Sequence, residues 1–162
     1  MSPTRAHLQA SAEALCSAFA AKADLETLLS HFSTTHQVSA VEYGLPLLAP
    51  FLGRRFTGLG GPESISTYFS LLTQYLTYED MSFGEWVVDT EARKVCVKGR
   101  AKFTWTEGAG KGQSWDERFV YVLDFDQEGK VTDYQVWADS GAAYLARRGE
   151  LADKAQEFQM SY

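Results

Sequence analysis

Four β-strand signals follow one another from Met81 to Asp139, and three short amphipathic helical segments and one isolated strand precede them. Helices first and a meander after is the order of an α+β domain, in which a curved antiparallel sheet wraps three N-terminal helices into a cone. The strands carry many rings: Phe83, Trp86, Phe103, Trp105, Trp115, Phe119, Tyr121, Phe125, Tyr134 and Trp137. A curved sheet lined by rings, with a few polar groups among them, encloses the kind of concavity in which small molecules bind.

The elements can be placed from local chemistry. Ser2 and Pro3 read as an N-cap and a first-turn proline. Leu8, Ala12, Leu15 and Phe19 then repeat at helical spacing as far as about Lys22. Asp24 can cap a second helix with Leu25, Leu28, Leu29 and Phe32 on its face. A β-prone run, residues 36–44, ends at Gly44. Residues 45–61 mix Pro46, Pro50 and several glycines with Leu47, Leu48, Phe51, Leu52, Phe56 and Leu59, the content of a loop that packs down as a rim or lid. Gly61-Pro62-Glu63-Ser64 opens a third helix that buries Ile65, Tyr68, Phe69, Leu72, Tyr75 and Leu76. Strands follow at about 81–89, 94–106, 114–125 and 130–138, joined by short turns that make successive strands antiparallel neighbours. A short helix over about 140–148 closes one domain, residues 1–148, and residues 149–162 form an appended C-terminal arm.

Composition narrows the partners. A net charge of −6 argues against nucleic acid, whose phosphates call for a basic surface. Lys98, Arg100 and Lys102 alternate along one strand and read as a solvated outer face, with an anion site as the alternative. Cys16 and Cys96 have no C-x-x-C partner or nearby histidine pair, so buried reduced thiols are expected, as in a cytoplasmic protein. No apolar run approaches the length of about 18 residues that a membrane helix needs, and the first residues lack the apolar core of a signal peptide.

Period-two alternation assigns the two sheet faces. The tight turn at Asp126–Gly129 aligns Leu123 with Tyr134, Tyr121 with Val136 and Phe119 with Ala138 on the concave side. The convex side then carries Val122 with Gln135, Val120 with Trp137, and an expected ion pair between Arg118 and Asp139. Val97, Gly99, Ala101, Phe103 and Trp105 complete the concave face. Val120, Val122 and Trp137 are too apolar for open water, which predicts a homodimer through the convex face.

Phe56-Thr57-Gly58, leading through Gly61-Pro62-Glu63-Ser64-Ile65 into the third helix, and the closing strand Gly129 to Asp139 resemble the SnoaL-like branch of the nuclear-transport-factor-two-like superfamily. The order of elements is also similar, over roughly residues 5–148. The resemblance implies a cone-shaped α+β fold, usually a homodimer, with a cavity between helices and sheet and no metal or organic cofactor. Its relatives include polyketide cyclases, ketosteroid isomerase, scytalone dehydratase and limonene epoxide hydrolase, alongside non-catalytic binding domains. Against the isomerase, strict register puts Tyr43 on the base position with Glu42 beside it, and Tyr121 on a proton-donating aspartate. The epoxide hydrolase aspartate falls on Val136. The dehydratase's histidine pair is not reproduced, although His31 and His36 lie near the corresponding corner.

Glu42 is the leading carboxylate. Buried, it can serve as a general base with a raised pKa; at the rim it would pair with Arg54 or Arg55. Tyr43, Tyr121 and Tyr134 can polarise a substrate oxygen. His36, Phe56, Tyr68, Leu72, Phe103, Trp105, Phe119, Leu123 and Val136 are the expected ligand-binding wall, with a surface position as the alternative for His36, a lone histidine at a strand start. Trp105 and Trp115 flank the glycine-rich loop 108–112 and can form a lip over a flat ligand or pack into the core, and Glu117 points inward near the mouth while Asp116 points out. Two readings follow. One is a cofactor-free cyclase, isomerase or dehydratase acting on a hydrophobic carbonyl-bearing small molecule such as a polyketide or terpenoid. The other is a non-catalytic binding or dimerisation module, which would line its cavity with apolar and aromatic groups alone.

Overall fold

The computed structural model describes residues 2–160; Met1 and the last two positions of the C-terminal arm lie outside them. The chain runs α1 (Arg5–Ala20), α2 (Leu25–Leu29), β1 (Ser39–Tyr43), β2 (Arg55–Thr57), α3 (Ile65–Tyr75), β3 (Leu76–Asp89), β4 (Lys94–Trp105), β5 (Ser114–Phe125), β6 (Val131–Trp137), α4 (Ser140–Arg147) and α5 (Leu151–Met160). The expected α+β architecture is present, with α1 packed on β3 and β4, and α3 on β1, β2 and β3. Among the described residues no helix is long and apolar enough to cross a membrane.

Helix starts follow side-chain chemistry, with one correction. The cap of α1 is Thr4, whose hydroxyl accepts the His7 amide at 3.2 Å, rather than Ser2; the helix begins after Pro3 instead of through it. Asp24 caps α2 as expected, accepting the Thr27 amide at 2.8 Å. The third helix opens at Ser64 but hands over to β3 at Leu76, so Leu76 belongs to the sheet.

The sheet has six strands in the order β2-β1-β6-β5-β4-β3. It is mixed rather than wholly antiparallel, because β1 pairs with β6 in parallel. The whole of β2 to β5 separates these two strands, so the connection is long enough for a parallel return. Strand β2, hidden in the proline- and glycine-rich segment, adds an antiparallel edge to β1, with Phe56 opposite Ala40. The β5–β6 register is the one read from the turn: Leu123 opposite Tyr134, Tyr121 opposite Val136 and Val120 opposite Trp137. The Arg118–Asp139 pair does not form. Strand β6 ends at Trp137, and the Asp139 carboxylate accepts the Ala142 amide at 2.9 Å as the cap of α4.

Between helices and sheet lies one aromatic core. Phe19, Phe32, Phe56, Tyr68, Phe69, Phe119, Tyr121 and Tyr134 are all buried there. Lys98, Arg100 and Lys102 stay outside; Lys98 pairs with Glu85 at 2.9 Å and Lys102 with Glu79 at 3.4 Å. The loop after β1 packs down, burying Ala49, Phe51 and Leu52. The arm forms α5, which buries no side chain.

Gly99 is required by this packing. A Cβ there would stand 2.2 Å from Phe119 Cε2, since the phenyl ring lies across the glycine on the neighbouring strand. Gly99→Ala should therefore destabilise the fold by about 1–3 kcal/mol, the usual cost of overpacking. A chemical denaturation midpoint equal to that of the wild type would show that the ring does not occupy this place.

Candidate active site

Alternation along β1 decides what enters the cone. The parallel register sets Glu42 beside Val136 and Ala40 beside Tyr134, so these residues share the concave face. Ser39, Val41 and Tyr43 therefore face outward. Glu42 is 8% exposed, and its Oε2 accepts the Tyr68 hydroxyl at 2.8 Å. It has no arginine partner: Arg54 pairs with Glu63 and Arg55 with Asp133. Burial, reinforced by the charge of Glu117, pushes the Glu42 carboxyl up to about 8, against the opposing effect of the Tyr68 hydrogen bond.

Three phenols continue inward from Glu42. Tyr68 and Tyr134 have ring centres 5.9 Å apart, and Tyr134 and Tyr121 have theirs 4.8 Å apart. Ring packing carries the contact from Tyr68 through Tyr134 to Tyr121. Burial holds all three phenols well above the ordinary tyrosine value, so they remain protonated donors.

Glu117 supplies a second carboxyl to the same chamber. Its Oε1 accepts the Trp115 indole N–H at 3.1 Å and the Asp139 amide at 3.0 Å, which ties β5 to the start of α4. Burial raises it to about 7 despite these two bonds, which favour the charged form. The chamber between Glu42 and Glu117 has a free volume of about 40 Å³, walled by Tyr68, Phe119, Tyr121, Tyr134 and Val136 with Phe51 from the loop. It opens toward a cleft of about 900 Å³ between α1, α2, α3 and the β3–β4 strands. Phe19, Leu72, Leu76 and Phe103 line both spaces and form the neck. The cleft is of ligand size, whereas the chamber has room for little more than a water molecule until the neck residues move.

The structure separates the expected site residues into three groups. Glu42, Tyr121 and Tyr134 come together with Tyr68, Leu72, Phe103, Phe119 and Val136 around the chamber. Phe56, Trp105 and Leu123 are buried core instead of cavity wall: Phe56 packs on Tyr68, and Trp105 packs on Tyr75 and Phe51. Of the proposed lip, only Trp115 reaches the chamber, stacked on Phe103.

Tyr43 and His36 lie elsewhere. Tyr43 is on the convex face, stacked on Trp137 with ring centres 4.5 Å apart and donating to Gln135. The strand's alternation leaves it no other side once Glu42 is inside. The His36 imidazole sits at the surface, hydrogen-bonded to Thr35 at 3.0 Å. The residue missing from the expected catalytic set is Glu117. Its inward direction was readable from β5 alternation, but its proximity to Glu42, distant in sequence, was not.

No protein-family model matches the chain, and no curated protein matches it. Solved structures do. An NTF2-like protein of unknown function from Burkholderia pseudomallei superposes with a TM-score of 0.67 at 15% identity, over 83% of this chain and 92% of that one. A steroid delta-isomerase from Pseudomonas aeruginosa gives a TM-score of 0.59 at 14% identity, over 99% of each chain. A pinacolase from Penicillium brevicompactum gives 0.62 at 19% identity, over 98% of this chain and 94% of that one. The likeness is one of fold: the chain has the cone fold of these NTF2-like and SnoaL-like proteins.

Proposed function

We propose that the protein is an acid–base catalyst of the isomerase, cyclase or dehydratase type, acting on a hydrophobic carbonyl-bearing small molecule such as a polyketide or terpenoid without a metal or organic cofactor. One observation carries this reading. A buried carboxyl, Glu42, is hydrogen-bonded to Tyr68 and shares a chamber with a second buried carboxyl, Glu117. A cone serving only to bind or dimerise has no use for two desolvated carboxyls, each of which costs stability.

The protonation states suggest the roles. At neutral pH the Glu42 carboxyl, near 8, carries its proton, and with Oε2 accepting from Tyr68 that proton sits on Oε1. Glu117, near 7, is about half ionised and is the readier base. In this reading Glu117 removes a proton from the carbon beside the substrate carbonyl while Glu42 protonates the oxygen. The enol then collapses as Glu117 returns its proton to a second carbon and Glu42 recovers its own. Tyr121 and Tyr134 supply donors behind Glu42 and steady its charge when it ionises.

Outer-face geometry suggests an assembly. Tyr43, Trp137 and Val120 stand in one cross-strand row, and Val122, Cys96 and Val87 in the next. Trp137 is 45% and Val87 64% exposed. Leaving this apolar surface wet forgoes roughly 25 cal/mol per Å², and a second copy of the chain presents the same patch. Sedimentation should give a dimer at micromolar concentration that Trp137→Glu converts to a monomer; a wild-type monomer refutes the pairing.

Enolisation can be read without knowing the substrate, as deuterium uptake beside the carbonyl in a panel of hydrophobic ketones in heavy water. Glu42→Gln and Glu117→Gln should each slow uptake about 10²-fold or more with the fold retained. Saturable ketone binding with no uptake above buffer would hand the case to the binding-module reading.

Glu42 also makes a stability prediction. Its value rises from 4.5 to about 8 on folding, so the folded state keeps a proton that the unfolded chain gives up. This contribution is fully present below about 4.5 and is lost as pH climbs toward about 8. Glu42→Gln can still accept from Tyr68 but does not titrate. Its melting temperature relative to wild type should therefore climb across that window and level off above it. A difference independent of pH would mean that Glu42 ionises in the fold as it does in water.

A further inference from the structure

Glu117 is held by one of its two oxygens. Trp115 lies two residues earlier on β5, so strand alternation turns both side chains to the same face. The indole Nε1–H donates to Glu117 Oε1 at 3.1 Å, and the Asp139 amide donates to the same oxygen at 3.0 Å. A carboxylate oxygen has two lone-pair sites, and these donors fill both of those on Oε1. Among the described residues Oε2 receives no hydrogen bond. No fully buried side-chain oxygen among them goes without a partner, so Oε2 is accessible rather than packed in.

The donors are themselves braced. Trp115 stands directly across from Phe103 on β4 and stacks on it, with ring centres 5.9 Å apart and planes at 26°. Ala101, opposite Glu117, is small and buried, which leaves the carboxyl room beside the indole. On the other flank, the Asp139 carboxylate caps α4 through the Ala142 amide at 2.9 Å and so fixes its own backbone. Phe103 also belongs to the neck, so the brace stands where a ligand arrives.

We propose that Trp115 is the positioning residue of the base: its indole N–H clamps Oε1 of Glu117, so that Oε2 is the oxygen that takes the proton from the substrate carbon. This role presupposes the acid–base reading of the chamber, whereas the clamp on Oε1 does not. Glu42 is arranged alike, with Oε2 accepting from Tyr68 and Oε1 left over.

The clamp also bears on the charge of the base. Burial raises Glu117 to about 7, while the indole and the amide favour its ionised form and oppose that rise. Charged and titratable groups surround it: Asp116 and Arg118 on its own strand, Arg100 and Lys102 on β4, Asp80 on β3, Asp139 before α4, and Glu42 with its phenols across the chamber. Among the described residues none of them forms an ion pair with Glu117. Trp115→Phe keeps all of these groups and a ring on Phe103 but deletes the donor. The bond favours the charged form, so its loss should move the Glu117 titration toward alkaline pH.

The first arm of the test needs no substrate. In the ¹⁵N,¹³C-labelled full chain, the Trp115 indole N–H and the Glu117 carboxyl are followed by NMR across neutral pH. Both should titrate with one midpoint, and Glu117→Gln should flatten the indole curve. Trp115→Phe should raise the Glu117 midpoint by about one pH unit, a tenfold change in proton affinity, as one charge-assisted hydrogen bond implies. In the second arm, the acid limb of deuterium uptake into hydrophobic ketones should move up by the same amount in Trp115→Phe. A merely structural role would lower uptake equally at every pH. An indole that ignores the titration of Glu117 overturns the clamp, and this wild-type measurement decides even if Trp115→Phe fails to fold. A midpoint that Trp115→Phe leaves in place overturns it as well, and a raised midpoint with an unmoved acid limb overturns the positioning role. Both NMR results as expected, with no uptake in the wild type, would remove the acid–base reading and the role together while the clamp stands.

Discussion

The pairing of β1 with β6 in parallel is the constraint on which the rest of this protein turns. It joins a strand that precedes the third helix to the last strand of the meander, and in doing so sets Glu42 beside Val136 on the concave face. A shift of one residue would send Glu42 to the surface and bring Tyr43 inside. The neighbouring pairs oppose that shift. Ala40 fits between Phe56 and Tyr134, and outside, Tyr43 stacks on Trp137 while Ser39 bonds to Asp133. The position of the buried carboxyl is thus held by hydrophobic and polar contacts on both faces at once.

Burial then sets the electrostatics. Among the described residues neither Glu42 nor Glu117 meets a cation; each meets only neutral donors, the Tyr68 hydroxyl for one and two N–H groups for the other. Desolvation is the first cause of the rise at both, with the charge of Glu117 adding to it at Glu42 and that of Asp139 adding to it at Glu117. The cost of keeping such groups is offset by the aromatic core around them, where Phe19, Phe69, Phe119 and the inner tyrosines pack ring on ring. Phe19 of this packing also forms the neck with Leu72, Leu76 and Phe103, and a ligand entering from the cleft must displace one or more of these.

The two faces of the sheet divide the chemistry. Inside, the two carboxyls accept from neutral donors, the Tyr68 hydroxyl, the Trp115 indole and the Asp139 amide. Outside, lysines pair with the acids of β3, an apolar patch crosses the middle strands, and Arg100 stands opposite Arg118. A single strand such as β5 serves both: Glu117, Phe119 and Tyr121 face in, Asp116, Arg118 and Val120 face out.

Much of this was legible in the chain by itself. Alternation along β4 and β5 identified the concave residues, because a slip of one position would bury Arg118 and expose Phe119 and Leu123. The turn at Asp126–Gly129 set the β5–β6 register for the same reason, and Asp24 announced its helix. Tertiary structure decided the rest. The parallel β1–β6 pair and the short strand β2 depend on contacts between segments far apart in sequence, which no local pattern encodes. That is why Tyr43 and Glu42 could not be told apart and why His36 was drawn toward a cavity it does not reach. Phe56, Trp105 and Leu123 have the same apolar character as true cavity walls; only three-dimensional packing separates a ring that lines a space from one that fills it. Glu117 was visible as an inward carboxyl, but its meeting with Glu42 exists only once the sheet curves around the helices.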